Sequence, residues 1–481
     1  MNYRTLRFVL LTLSSLLLCT PLVVHAQWEP DRRLTWNDSV SYTCGIRPCI
    51  AVGPGGVMHL IWFDNRDGPT SNYEIYYKRS TDEGQSWDSA DTRLTFDPGE
   101  SYTSTISASG LFVHIVWWDG RDGNYEIYYK RSTNGGLIWS SDVRLTYATG
   151  NSRFPSQVVS GSVVHVVWED ARNGNTQIYY KRSSDDGSSW DPDTCLARNS
   201  WGAYSPAIAS QGDTVHVVWY DNRDKPYYPE IYYKRSTDSG RSWSPDTRLT
   251  LDSSNSWVPT ISASGSMVHV AWSDERDGNR YPEVYYKRSS DGGQTWSPDV
   301  RLSALPDASS SSPIFASGNL VHVAWEDERD GNQEIYYKRS TDSGSNWSPD
   351  TRLTAAPGNS HHPFLTVSNS VVHVVWNEER DGNPEIYYKR NPTGNGTEAS
   401  QEQIKIQTLR FSPLPNPFTS FTRVLGHEGK AFSLFDISGR KVGVYPGDRI
   451  GWDVSPGIYF LRYDTRYAAP DTRILRIVKF R

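Results

Sequence analysis

The sequence predicts an all-β chain: a seven-bladed β-propeller with an N-terminal strand closing the last blade, followed by a small C-terminal β-sandwich. Three observations carry this. His-x-x-Trp recurs from His59, His114, His165, His216, His269, His322 and His373, in steps of 55, 51, 51, 53, 53 and 51 residues. Each copy is followed by an x-Ile-Tyr-Tyr-Lys-Arg run such as Glu74 to Arg79, with Val284 once in place of Ile. Ser-x-Asp-x-Gly-x-x-Trp hairpins follow six of the seven runs. A period of about 50 residues, rich in β-branched and aromatic side chains, suits a four-stranded blade.

Residues 1–26 read as an export signal. Arg4 and Arg7 give a positive start, Phe8 to Leu18 an apolar stretch, and Val24-His25-Ala26 the small residues a signal peptidase reads. The stretch is too short for a membrane span, and Leu18 stands where a lipoprotein signal at Cys19 wants a small residue. No later segment has transmembrane length. Three cysteines then remain, Cys44, Cys49 and Cys195, an odd count that leaves one unpaired unless it bridges another chain. Cys44 and Cys49 are the candidate pair for a short loop. The net charge of −6 leaves no electrostatic footprint for nucleic acid.

One unit shows the blade. Strand A is Pro259 to Ser264, strand B Met267 to Trp272, strand C Glu283 to Ser289, and strand D Trp296 to about Leu302. Strand B is apolar on both alternating faces, so both are covered, as stacked blades cover them. In the C–D hairpins, Asp82, Asp185, Asp238, Asp291 and Asp342 can accept N–H groups of their own turn; Asn134 replaces Asp once. The glycine can take φ > 0 and the tryptophan can fold back over the hairpin. The seventh C strand, Glu385 to Arg390, has no D strand after it. Trp28 to Thr35 matches Trp347 to Thr354, so residues 28–35 supply that strand and close a ring spanning 27–390. Closure removes free sheet edges. Residues 391–408 form a linker without apolar periodicity, and 409–481 alternate short apolar strands with turn residues, the pattern of a small sandwich.

The hairpins Ser80-Asp82-Gly84-Trp87, Ser183-Asp185-Gly187-Trp190 and their four counterparts resemble the Asp-box, or bacterial neuraminidase repeat, of sialidase-like propellers, over Trp28 to Arg390. Phe411 to Phe418, Leu434 to Arg440 and Pro456 to Leu461 resemble phrases of the C-terminal sorting domain of the type IX secretion system. That second resemblance implies secretion machinery as a partner, passage across an outer membrane, and a secreted or cell-surface location.

In a propeller the D–A and B–C loops share one face, and the A–B turns and C–D hairpins the other. A motif stamped into every blade answers a need shared by every blade, so the Asp-box aspartates read as structural. The seven strand-B histidines are spread around the ring and cannot converge on a metal. Asp327-Glu328-Arg329-Asp330-Gly331-Asn332 resembles a calcium loop only loosely, with Arg where an oxygen ligand belongs. An Asp–Arg turn is the first reading and calcium a lesser one; no other cofactor or metal is expected.

Function should lie where the repeats disagree. Aligned on the strand-A proline, the position two residues earlier holds Ile46, Tyr102, Arg153, Tyr204, Trp257, Ser311 and His361. The next holds Arg47, Thr103, Phe154, Ser205, Val258, Ser312 and His362. The B–C loops add Tyr227, Tyr228 and Tyr281. The candidate ligand site is therefore Arg47, Tyr102, Arg153, Tyr204, Trp257, Tyr228, Tyr281 and His361. Aromatic faces with polar tips suit sugar rings or exposed protein segments.

The sialidase resemblance implies an arginine triad, a Tyr–Glu nucleophile pair and an Asp acid/base. Arg153-Phe154-Pro155 matches the Arg-x-Pro phrase of that family's first arginine, but in the third unit; Arg47-Pro48 lacks the intervening residue. Sialidase folds have six blades, and arginines such as Arg66 recur blade after blade. No unique cluster of shifted carboxylates stands out, so no catalytic residue is assigned. A surface or secreted glycan-binding module is the first reading. A divergent sialidase-like hydrolase is the second, and a structural surface-layer or interaction protein the third.

Overall fold

The computed structural model describes residues 28–45, 47–67, 72–199, 201–224, 228–252, 254–277, 281–303, 308–310 and 312–393. It also describes 413–414, 423–424, 431–436, 440–446, 450, 455, 457–463 and 474–479. The expected export signal and all but the first three linker residues lie outside them. The chain divides into two units, Met1–Thr397 and Glu398–Arg481.

The first unit is a seven-bladed propeller. Blade one pairs Ser41–Tyr42 and Ile50–Val52 (strand A) with Met58–Asp64 (B), Glu74–Ser80 (C) and Thr92–Arg93 (D). Blades two to five begin at Ser101–Ser109, Ser152–Ser160, Ala203–Gln211 and Ser256–Ser264, blade six at Ser309–Ser310 and Ile314–Ser317, and blade seven at Ser360–Ser368. Blade seven takes its D strand from Arg32–Arg33, which pairs with Tyr388 and Tyr387. The Leu34 N–H donates to Ile386 O at 2.8 Å and the Glu29 N–H to Arg390 O at 2.9 Å. Ring closure by the N-terminal strand is thus as expected.

The strand limits differ. Strand A of blade five starts at Ser256 rather than Pro259, because pairing resumes before a bulge. Strand D shrinks to Val300–Arg301, since Trp296 turns back to pack on Tyr233 and Asp299 turns to Arg276 and Lys287. All three cysteines are free thiols, so Cys44 and Cys49 do not pair.

The repeated residues stitch blades together. His165 lies 2.7 Å from the Tyr180 hydroxyl of its own blade. Trp243 of the next blade packs edge-on against Tyr180, with centroids 4.9 Å apart. Gly240 sits so close that a Cβ there would lie 1.8 Å from that hydroxyl. Ser236 and Asp238 shape the hairpin: the Gly240 N–H donates to Ser236 Oγ at 2.8 Å, and the Ser242 N–H to Asp238 Oδ1 at 2.8 Å. At the ring seam Trp87 of blade one meets Tyr388 of blade seven, and Trp28 takes the hairpin tryptophan's place against Tyr337. Each strand-B histidine is buried; burial lowers six of them to about 4 and His373 to about 3.

The other end of strand B is built as regularly. Trp168 Nε1 donates to Asp170, Arg172 pairs with Asp170 at 2.5 Å and Asp193 at 2.8 Å, and its guanidinium lies 4.2 Å from the Tyr179 ring. This is the expected Asp–Arg turn of the B–C loop.

In the second unit, Pro413–Leu414 pairs with Arg423–Val424. A four-stranded sheet runs Lys441–Pro446, Ala431–Asp436, Gly457–Tyr463, Ile474–Lys479. Phe432, Leu434, Tyr445, Ile450 and Tyr459 are buried there. Among the described residues no helix is long and apolar enough to cross a membrane.

Candidate ligand-binding site

The loop face carries a cavity of about 570 Å³ lined by Tyr42, Thr43, Cys44, Gly45, Arg47, Phe63, Tyr73, Tyr102, Thr103, Phe154, Ser205, Val258 and His362. Its lining comes from six of the seven blades, so it sits where the innermost strands converge. A bulge in strand A creates it. In blade five, pairing with strand B skips from Trp257 to Thr260, leaving Val258 and Pro259 out of the ladder. Thr103, Phe154, Ser205, Val258 and His362 all have φ between 34° and 53°. Left-handed backbone costs a non-glycine residue on the order of 1–3 kcal/mol, and such outliers cluster at functional sites. Four of the five are followed by proline, which has no N–H for the broken ladder to leave unpaired.

Blades one and two give the cavity an aromatic wall. Ring centroids run Tyr42–Phe63 at 5.6 Å, Phe63–Tyr73 at 5.5 Å, Tyr73–Tyr102 at 5.0 Å, Tyr102–Trp118 at 4.7 Å and Trp118–Tyr125 at 4.5 Å. The Arg153 guanidinium caps the run, 4.3 Å from the Tyr125 ring.

Polar groups flank this wall. Arg47 is 7 % exposed. It reaches from blade one to blade three, donating from Nε to Pro155 O at 3.0 Å and from Nη2 to Phe154 O at 3.2 Å. Glu169 Oε1 accepts the Ser205 N–H at 2.7 Å. Burial pushes the Glu169 carboxyl up to about 7, against the pull of the Ser205 N–H, Arg47 and Arg153. Tyr220 is pushed up to about 12 by burial and then by the charge of Glu169, and stacks on Tyr204 at 5.4 Å. Glu326 accepts the His362 N–H at 2.9 Å, and Asn377 Oδ1 accepts the Thr43 N–H at 2.7 Å. One blade's strand B thus holds the bulge or insertion of the next. Burial lifts the Cys44 thiol to about 11, leaving it protonated at neutral pH.

Of the expected site residues, Arg47 and Tyr102 line the cavity. Arg153, Tyr204, Trp257 and His361 sit one residue before the lining position, paired across the sheet with Glu169, Tyr220, Ser273 and Asn377. Tyr228 and Tyr281 are 48 % exposed on B–C loops and do not line the cavity. Ile46, Tyr227 and Ser311 lie outside the described residues. Alignment on the proline misplaced two units. In blade one Tyr42, not Ile46, pairs with Phe63 as Tyr102 pairs with Trp118, because an insertion enlarges the bulge. In blade six Ser310, not Ser311, pairs with Glu326.

The residue after each strand-B tryptophan was missed: Phe63, Trp118, Glu169, Tyr220, Ser273, Glu326 and Asn377. Its signal was the same variation inside a fixed frame, at Trp-x-Asp. Among the described residues no group of three or more ligand side chains converges to hold a metal ion.

No family model matches the chain, and no curated protein does. Several solved structures are similar. A protein of unknown function from Dyadobacter fermentans is 14 % identical with a TM-score of 0.49, over 76 % of this chain and 98 % of that one. Trypanosoma rangeli sialidase is 13 % identical with a TM-score of 0.46, over 75 % and 59 %. The endosialidase of phage phi92 is 10 % identical with a TM-score of 0.46, over 93 % and 87 %.

Proposed function

We propose that this is an exported glycan-binding propeller, secreted or held at the outer cell surface, that seats a sugar ring in the cavity of its loop face. The carrying observation is the wall itself: Tyr42, Phe63, Tyr73 and Tyr102 in consecutive ring contact, beside the buried guanidinium of Arg47. Aromatic faces take the C–H faces of pyranoses, and a few fixed polar groups orient hydroxyls. The Ser-x-Asp-x-Gly-x-x-Trp hairpins are read as Asp boxes with a structural task. Residues 409–481 are read as a type IX sorting domain that hands the chain to its secretion machinery, on the strength of three sequence phrases. Removing 409–481 in a host with that system should strand the protein before the outer surface.

The binding test is an array of neutral and sialylated glycans. Tyr102→Ala should weaken the best ligand at least tenfold in a protein that still unfolds cooperatively. Full retention of binding by that variant, or no binding to any glycan, would contradict the reading.

One observation favours a second reading, a sialidase-like glycoside hydrolase. Glu169 is a half-buried carboxyl raised to about 7 beside Tyr220, Arg47 and Arg153, and a general acid works best near the operating pH. Turnover of sialyl or other aryl glycosides, lost in both Glu169→Gln and Arg153→Ala, would establish it. Absence of turnover in an array-positive protein would leave binding alone.

A further inference from the structure

In sequence, each run from strand D into the next strand A has an outer position just after strand D and an inner position six residues on. Trp36 and Tyr42 mark them before blade one, Phe96 and Tyr102 before blade two, and Tyr147 and Arg153 before blade three. The remaining outer positions hold Arg198, Leu251, Ala304 and Ala355. Aromatic residues therefore hold this outer position in three consecutive loops; on the blade-four loop the exposed Trp201 stands three residues further on.

Those three rings are built to stay in place and face solvent. Trp36 is 71 % exposed, Phe96 70 % and Tyr147 75 %. Each has the guanidinium of its D-strand arginine over one face: Arg33 at 4.5 Å from Trp36, Arg93 at 4.9 Å from Phe96 and Arg144 at 4.5 Å from Tyr147. The arginines are themselves pinned to buried glutamates, Arg33 to Glu385 at 2.7 Å, Arg93 to Glu74 at 2.6 Å and Arg144 to Glu126 at 2.8 Å. The Arg–Glu pair recurs in blades that carry no outer ring, as Arg352 with Glu334 beside Ala355. It is scaffold; the exposed ring is the addition. A ring already fixed on one face loses little entropy when a ligand covers the other.

The inner ends of the same loops meet the cavity's aromatic wall. Six residues can span up to about 20 Å, room for more than one sugar ring. Aromatic faces at both ends of the first two loops, with Asp97 and Glu100 between Phe96 and Tyr102, fit a ligand that presents apolar faces at intervals along a hydroxylated chain. A protein partner would favour one contiguous apolar patch.

We propose that the ligand is a polysaccharide, with one unit in the cavity and the following units running outward over blades seven, one and two onto Trp36, Phe96 and Tyr147. The proposal rests on the glycan-binding reading above. It is tested with the full mature chain in native gels containing arabinan, xylan, mannan, β-glucan or polysialic acid, then by calorimetry with a length series of oligomers from the polymer that retards it. Affinity should rise at least tenfold from the shortest oligomer that binds to the longest. The triple variant Trp36→Ala, Phe96→Ala, Tyr147→Ala should lose that gain while keeping affinity for the shortest, and Leu251→Ala should behave as wild type. Wild-type retardation of the triple variant would overturn the proposal. So would Tyr102-dependent binding of a short glycan without retardation by any of the five polymers, an outcome that leaves the glycan reading standing. No binding to either array or polymers would remove both.

Discussion

Leu34→Ala tests whether the N-terminal segment is a structural strand of blade seven. Leu34 is 3 % exposed; its counterparts Leu94, Leu145, Leu249 and Leu353 are 3 %, 2 %, 3 % and 4 % exposed. Its N–H donates to Ile386 O at 2.8 Å, as that of Leu94 does to Ile75 O at 2.8 Å. Its carbonyl accepts Lys78 Nζ of the next blade, as that of Leu94 accepts Lys130 Nζ. Truncating a buried leucine to alanine costs about 3 kcal/mol, the transfer of the lost methyl groups plus the cavity left behind. Leu34→Ala and Leu94→Ala should therefore cost the same to within about 1 kcal/mol, a scatter set by how far each site relaxes. Guanidinium unfolding of the mature chain, followed by tryptophan fluorescence, measures both. A Leu34→Ala protein as stable as wild type, beside a weakened Leu94→Ala, would mean that residues 28–35 do not close the ring.

Gly240→Ala should cost more than about 3 kcal/mol, because its Cβ would lie 1.8 Å from the Tyr180 hydroxyl; Gly161→Ala, also at positive φ but with nothing within 4 Å, should cost about 1 kcal/mol. Equal losses would refute the inter-blade contact. Val258→Gly should raise stability by about 1 kcal/mol by relieving a β-branched residue at φ 53°; a loss of stability would show that no strain is stored there. The strand-B histidines make the ring acid-labile. Their folded values near 4 lie below the ordinary 6.5, so the unfolded chain gains protons first. Stability is whole above about pH 6.5 and falls as the pH drops toward 4. An unfolding midpoint that does not move between pH 7.5 and 4.5 would contradict this.

Blade count and closure were legible because both follow from residues that repeat: seven strand-B phrases, six hairpins, and Trp28 to Thr35 standing in for Trp347 to Thr354. The inter-blade role of Gly240 and Trp243 was half legible. The turn chemistry follows from local spacing, but the partner, Tyr180, comes from the preceding blade. The cavity was less legible. Val258 and Phe154 in left-handed backbone run against local preference, so no propensity argument finds them. The offset of Tyr42 from Ile46 appears only when cross-strand pairing sets the register. Glu169 stands in a strand-B phrase that otherwise repeats. Its carboxyl is raised by burial and partly held back by the charge of Arg47, more than a hundred residues away in sequence, crossing two blades.

A crystal structure with the best array glycan bound would decide most directly where this propeller binds. The sugar should stack within about 4 Å of Tyr102 or Tyr73, with a hydroxyl toward Arg47, on the loop face. A glycan seated on the opposite face, against hairpins such as Ser183 to Trp190 or Ser236 to Trp243, would contradict the assignment of function to the positions where the repeat departs from itself.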